Sequence, residues 1–456
     1  MLRARSNPMK IVHCVNQYMP LHMAGTEVYI HALAAMQKAA GHEVNVITPH
    51  IEHYRPGQRK EYYEYEGLGV YEYLEPADPY NRDIISAKKK PEGLANFQNL
   101  LTLLQPGIIH FHELNRSIGL GIEHVKLAKL SGAKVILTMH LSFYTCNTNT
   151  LIRNNKLCSG KIREYACSVC TYKTIFKLHS ILAVPAAAAS LVAQRTGFTA
   201  LLPTGKITTL VSMPATINRI KKELMELATQ VDRFVSISNW YKAILLDNGV
   251  PEKKITVIEQ ALATVTKNVF SPVSRPVALP LKMVFIGRIQ PQKGIHLLIE
   301  ALSHFTPGQV CVDIYGKPED TVYYKKCIHD SLGMASIRWK GLIAREEVVE
   351  TLSRYDLMCL PSTFSEMSPL VIQEAFAAGI PVLASGVYGN AEQVSDGYNG
   401  WLFTFNDSGD LKKKIQQLVD EPGKILMAKK NGKPVKTFAA VAGEYEKLYK
   451  EVTGSI

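Results

Sequence analysis

The sequence predicts an α/β protein made of two doubly wound, Rossmann-like domains. Strand-like and helix-like segments alternate almost from end to end, as parallel strands joined by crossover helices require. A proline-rich stretch interrupts the alternation, which then restarts. At 456 residues the chain is also too long for one ordinary core and fits two.

The elements follow in order. Lys10–Val15 reads as a first buried strand, and the loop Ala24-Gly25-Thr26-Glu27 leads into a helix that Gly41 closes. Glu43–Thr48, Gly107–Phe111 and Lys134–Met139 read as further strands of the same sheet. The pattern breaks between about Leu141 and Gln230, then resumes with strand, helix and strand at Arg233–Ser238, Asn239–Asn248 and Lys254–Ile258. Ser271–Leu281 carries Pro272, Pro276 and Pro280 and predicts a stiff linker. A second set of strands is expected near Met283–Gly287, Val310–Tyr315, Ile337–Trp339, Leu357–Leu360 and Pro381–Ala384. The expected domains are 1–274, with a cysteine-rich insertion at about 141–172, and 275–437; an amphipathic helix within 438–456 is expected to cross back to the first domain. Two such domains are expected to hold a ligand between them, at the carboxyl ends of the strands.

Composition narrows the partners. Hydrophobic residues at 46% and charged residues at 20% describe a globular chain. The net charge of +12 favours anionic partners: phosphates, nucleic acid or a membrane surface. The longest small-apolar run, Ile181–Ala193, is too short to span a membrane and contains Pro185 and Ser190. Met1–Met9 is basic without the apolar run of a signal peptide, and Met9 offers a second start. The expected location is cytoplasmic, peripheral at the inner membrane face if a membrane is met, with the eight cysteines reduced.

The segment richest in chemistry is Ser365-Glu366-Met367-Ser368-Pro369-Leu370-Val371-Ile372-Gln373-Glu374-Ala375. A strand ends at Leu360, and a helix is expected to open with Ser368 as its cap and Pro369 at its first position. Free backbone N–H groups there suit a phosphate or a sugar hydroxyl. Glu366 stands in the turn, whereas Glu374 lies among Ala375, Phe376, Ala377 and Ala378, where a carboxylate needs a partner. Spacing alone fits equally an exposed loop glutamate and one paired on a helix face. Val284-Phe285-Ile286-Gly287-Arg288, followed by Lys293-Gly294, ends a strand near a helix start; two cations there suit a diphosphate.

These segments resemble the signature of the family 4 glycosyltransferases, over roughly residues 10 to 450. The resemblance implies the GT-B fold, a 275–437 domain that binds a nucleotide-sugar donor (UDP- or GDP-sugar) and a 1–274 domain on the acceptor side. It gives Glu366 to the donor sugar near its reacting carbon and Glu374 to the nucleotide ribose. Arg288 and Lys293 face the diphosphate, and Gly25 belongs to the glycine loop opposite it. Met367, Ser368, Pro369 and Leu370 complete the donor-binding segment, with Met367-Ser368 standing where Gly and then Phe, Thr or Ser is more usual. Ala24 replaces the usual first glycine of the loop, and Val257-Ile258-Glu259-Gln260-Ala261 stands where the family reads Pro-Asn-Gly. His140, ending a strand, matches a histidine that approaches the donor sugar or the acceptor; His112 ends the neighbouring strand. The implied reaction is retaining transfer to a glycan, lipid-linked or small-molecule acceptor, with no cofactor and no divalent metal for catalysis.

Cys146, Cys158, Cys167 and Cys170 follow His140 closely, and two of them form a Cys-x-x-Cys pair. Structural zinc, unpaired thiols and disulfides all fit that pattern. The insertion resembles one in a subset of the family. Thr216–Gln230 places Ile217, Ile220, Leu224 and Leu227 on one face with Arg219, Lys221 and Lys222 off it, which fits either an anionic membrane or its own domain. A zinc-containing nucleic-acid binder is the rival class, but the cysteines do not repeat as fingers and no aromatic-rich basic stripe accompanies them. A GT-B epimerase, a phosphorylase or a non-catalytic nucleotide-sugar binder are the nearer alternatives.

Overall fold

Short runs of branched and aromatic residues, buried on both faces, build two largely parallel sheets in the computed structural model, which describes residues 8–23, 25–78, 89–116, 118–197, 205–262, 276–432 and 435–454. The chain divides into two units: Met1–Leu151, Cys158–Glu259 and Ala439–Ile456 form one, and Ile152–Leu157 with Gln260–Phe438 the other.

In chain order the strands are β1 (Lys10–Val15), β2 (Glu43–Ile51), β3 (Tyr62–Tyr65), β4 (Leu68–Glu75), β5 (Ile108–His112) and β6 (Lys134–Met139). A small antiparallel hairpin, β7 (Ile152–Arg153) and β8 (Lys156–Leu157), precedes β9 (Arg233–Ser236) and β10 (Ile255–Val257). The first unit's sheet runs β10-β9-β6-β5-β1-β2-β4-β3, with β3 alone antiparallel to its neighbour. The strand order reverses between β1 and β5, where His13 lies beside His110 and Val15 beside His112.

The second unit's sheet contains β11 (Leu281–Ile286), β12 (Val310–Tyr315), β13 (Ile337–Gly341), β14 (Leu357–Leu360), β15 (Val382–Ser385) and β16 (Gly400–Phe403). Its order is β13-β12-β11-β14-β15-β16, entirely parallel, with the reversal between β11 and β14. In a doubly wound sheet that reversal opens a crevice at the strands' carboxyl ends.

The α/β reading and the two Rossmann-like sheets hold. Several boundaries move: β2 extends to Ile51, and part of the predicted linker, including Pro272, lies outside the described residues. The amphipathic helix begins at Met213, and its apolar face (Ile217, Ile220, Leu224, Leu227) is fully buried within its own unit. The C-terminal helix, Phe438–Thr453, groups with the first unit from Ala439 onward and buries Val441, Tyr445, Leu448 and Tyr449. Among the described residues no helix is long and apolar enough to cross a membrane.

Candidate functional site

The second unit's site is built at the reversal of strand order. After β11 the chain makes one 3-10 turn, Pro291–Lys293, and Gly294 follows at φ +68 before the helix Ile295–Leu302. A side chain at Gly294 would lie 1.8 Å from the Pro361 carbonyl oxygen, so only glycine lets this loop rest on the loop after β14. Thr363 N–H donates to Gln292 O at 2.8 Å and ties the two together.

That contact brings Lys293 Nζ to 2.6 Å from Glu366 Oε1, and both side chains are nearly buried. The Ser362 hydroxyl donates to the same Oε1 at 2.7 Å. Ser385 Oγ in turn donates to Ser362 O, and Asn390 Nδ2 to Ser385 O, so the carboxylate's support reaches back to β15. A side chain on Gly389 would lie 2.1 Å from the Glu366 carbonyl oxygen, which closes the other side of the turn. Arg288 is placed differently: its side chain is 57% exposed, and Nη1 donates to Glu319 Oε2 at 3.2 Å.

Met367 and Pro369 are buried, and Ser368 and Leu370 are half-buried. The helix runs Leu370–Ala377 with Pro369 as its cap, one residue later than expected from Ser368. Pro369 has ψ 116, an extended conformation that keeps it outside the first turn. Gln393 Nε2 donates to Pro369 O at 3.3 Å and holds that entry.

Glu374 projects from this helix half-buried, and its carboxylate makes no hydrogen bond among the described residues. Burial raises its pKa, with Arg345 opposing the rise. Among the described residues Arg345 Nε and Ser365 Oγ are themselves buried without hydrogen-bond partners. Arg345 acts on the Glu374 charge, so a half-buried anion and an unmet guanidinium N–H stand near each other, a pair that a polar ligand can satisfy. Sequence reading missed Ser362 and Arg345; the only signal was a serine four residues before Glu366.

In the first unit, Gly25 opens the helix Gly25–Ala39, exposed and with open space around it; Ala24 lies outside the described residues. His140 follows β6, and its Nε2 lies 3.4 Å from His112 Nδ1. Both rings are buried, and burial lowers the pKa of His140 to about 4 and that of His112 well below the usual range. Beyond the ends of β1 and β2 is a cavity of about 250 Å³, lined by Asn16, Tyr18, Thr48, Tyr54, Arg55 and Glu72 among others. Arg55 Nη2 donates to the buried Glu72 at 2.9 Å, which fixes the guanidinium at the wall.

Cys146, Cys158, Cys167 and Cys170 are half-buried and form no disulfide. Burial and the three neighbouring thiols raise the Cys170 thiol to about 11. Among the described residues, the group of three metal-ligating side chains within 4.8 Å of one another is instead His13, His110 and His112.

Two family models match the chain in sequence. One, described as glycosyl transferase 4-like domain, covers residues 24–260, and the other, glycosyl transferases group 1, covers residues 270–435. The chain belongs to the family 4 glycosyltransferases. A colanic acid biosynthesis glycosyltransferase of Salmonella typhimurium is 26% identical over 47% of this chain and 55% of its own length. The D-inositol 3-phosphate glycosyltransferase of Mycolicibacterium smegmatis is 35% identical over 35% of this chain and 40% of its own. The chain thus spans about half, or less, of the curated relatives it matches.

Solved structures agree on the fold of this glycosyltransferase family member. Anabaena HepE in complex with UDP aligns over 98% of this chain and all of its own, with a TM-score of 0.62 and 15% identity. Sucrose-phosphate synthase from Thermosynechococcus elongatus gives 0.63 at 17% identity, over 98% of this chain and all of its own. The fold is GT-B, two Rossmann-like units in one chain.

Proposed function

We propose that the chain transfers a sugar from a nucleotide-diphosphate sugar, a UDP-sugar in the first instance, to a saccharide acceptor. The observation that carries the reading is the donor set of the second unit: Lys293 paired with Glu366, and in the same unit a Glu374 carboxylate that makes no hydrogen bond among the described residues. A ribose offers two hydroxyl donors to Glu374, which relieves the cost of its burial. Lys293 and Arg288 carry the charge that a leaving diphosphate needs, so no divalent metal is invoked. HepE, solved with UDP and with UDP-glucose, supports the choice of base.

Family membership supports retention of configuration. The acceptor oxygen bonds to the anomeric carbon on the face that the diphosphate leaves. As the C–O bond to phosphate breaks, a phosphate oxygen takes the acceptor's proton. Glu366, its Oε1 held by Lys293 and Ser362, is oriented for sugar hydroxyls near that carbon. His140 serves the same sugar or the acceptor.

The cavity beside Tyr54 and Arg55 suits one acceptor ring, since it is smaller than the roughly 300 Å³ and above of drug-sized sites. The names of relatives in colanic acid and amylovoran biosynthesis support a surface-glycan acceptor, free or lipid-linked. Zinc at Cys146, Cys158, Cys167 and Cys170 belongs to the same proposal. The thiols are near enough to feel one another's charge, and a structural ion would draw them into one tetrahedron. Metal analysis of chelator-free protein, finding no zinc, removes that part alone.

Incubation with a panel of nucleotide sugars, followed by an acceptor panel, tests the whole. Release of nucleoside diphosphate with acceptor-dependent product is expected. Glu374→Ala should weaken nucleotide binding, whereas Glu366→Ala should mainly lower turnover. Equal effects of both on donor affinity alone would contradict the assigned roles.

A further inference from the structure

Behind His140 the first unit holds a continuous chain of buried hydrogen bonds that the donor chemistry does not require. Gln37, near the end of the helix Gly25–Ala39, sits at its middle. Gln37 Oε1 is 2.7 Å from His13 Nε2, and Gln37 Nε2 donates to the Tyr449 hydroxyl at 3.2 Å. His13 Nδ1 is 2.9 Å from His112 Nε2, and His112 Nδ1 is 3.4 Å from His140 Nε2. On the other arm the Tyr449 hydroxyl is 2.7 Å from His110 Nδ1, and His110 Nε2 is 2.7 Å from Thr138 Oγ1. Thr138 reaches the Tyr445 hydroxyl at 3.0 Å, and the Tyr29 hydroxyl donates to Tyr445 at 3.2 Å. Every one of these side chains is buried.

A neutral imidazole donates at one nitrogen and accepts at the other, so each ring in such a chain passes its direction to the next. Hydroxyls and imidazoles reverse by moving protons. A carboxamide reverses only by turning over, so Gln37 is the member able to fix the direction. With Oε1 accepting from His13, the His13 proton lies on Nε2 and its Nδ1 accepts from His112 Nε2–H. His112 Nδ1 then accepts from His140 Nε2–H.

We propose that Gln37 sets the tautomer of His140, acting through His13 and His112, so that His140 keeps its proton on Nε2 and its Nδ1 is the ring's acceptor nitrogen. Gln37 and His13 are positioning residues in this account, and its effect on kcat rests on His140 serving a sugar, as the proposed function has it. Burial keeps the rings neutral: His13 and His140 are lowered to about 4, and His110 and His112 well below their usual range. His13, His110 and His112 have ligand atoms close enough for one metal ion. Both nitrogens of each ring already have a hydrogen-bond partner, however, and an ion would have to break those bonds.

The test is ¹⁵N NMR of the full chain labelled at histidine, with His140→Asn used to assign the His140 signals. The wild type should show His140 as the Nε2–H tautomer. Gln37→Leu removes the acceptor, so His140 should become a mixture of tautomers and kcat should fall about tenfold or more. Gln37→Glu keeps an oxygen toward His13 and should restore both the tautomer and most of kcat. A wild-type Nδ1–H tautomer overturns the proposal, as does an unchanged tautomer in Gln37→Leu. Stoichiometric Zn²⁺ or Ni²⁺ binding that removes the His13, His110 and His112 N–H signals overturns it too. The tautomer is read without turnover, so an inactive chain would defeat the functional reading while leaving the Gln37 assignment to stand on its own spectra.

Discussion

At the scale of single residues, Glu374 and Glu366 are held in opposite ways. Glu366 has its charge met by Lys293 at 2.6 Å and Ser362 at 2.7 Å, whereas Glu374 is half-buried with only Arg345 opposing its pKa rise. A group kept at a cost to stability should give stability back when replaced. Glu374→Leu is therefore expected to raise the thermal midpoint of the ligand-free protein by a few degrees, about 1 kcal/mol, while nucleotide binding is lost. A calorimetric midpoint that falls instead would show the carboxylate to be structurally satisfied. The histidines make a second prediction. His13 and His140 have folded pKa values of about 4 against 6.5, so the unfolded chain takes up protons first as pH drops below 6.5. Their contribution is complete above pH 6.5 and is lost between 6.5 and about 4, about 3 kcal/mol for His13 alone. Glu113 runs the other way: burial raises it to about 8, so its protonated folded form is favoured at low pH and stability declines as pH rises from 4.5 to 8. Denaturant midpoints measured from pH 4 to 8 should fall on the acid side, and Glu113→Gln should remove part of the alkaline decline.

At the scale of elements, the two readings left open for Thr216–Gln230, a membrane surface or its own domain, part on burial. The apolar face of Met213–Gln230 is buried, yet Ser180–Arg195 leaves Ile181, Leu182, Val184 and Val192 46% to 75% exposed. Only Ala183, Ala187 and Ser190 of that helix are buried, so small residues face inward and large ones outward. The Glu366 turn was more legible, because Pro369 and the run of alanines after Glu374 announce a strand, a turn and a helix. Its partners were not, since Lys293 and Ser385 lie on other loops and strands and no local pattern joins them to Glu366.

For the molecule as a whole, the C-terminal helix is part of the first unit's core. Tyr445 and Tyr449 are fully buried and hydrogen-bond to Thr138, His110 and Gln37, hundreds of residues earlier. Truncation before Phe438 is expected to unfold the first unit, seen as loss of its cooperative transition in denaturant. Tyr449→Phe, which leaves Gln37 and His110 without a shared partner, should cost about 1–3 kcal/mol. A truncated chain with an unchanged transition would show the helix to be dispensable.

The sequence by itself determined the α/β class, the two sheets and the family, because parallel strands, crossover helices and the spacing of Glu366 and Glu374 are local patterns along the chain. Only the tertiary structure decided which groups meet. It set Lys293 on Glu366, left Glu374 without a hydrogen bond among the described residues, turned Arg288 toward Glu319, and strung Gln37, His13 and His112 behind His140. Those pairings join residues far apart in sequence, and hydrogen bonds act over a few ångströms of space irrespective of their separation along the chain.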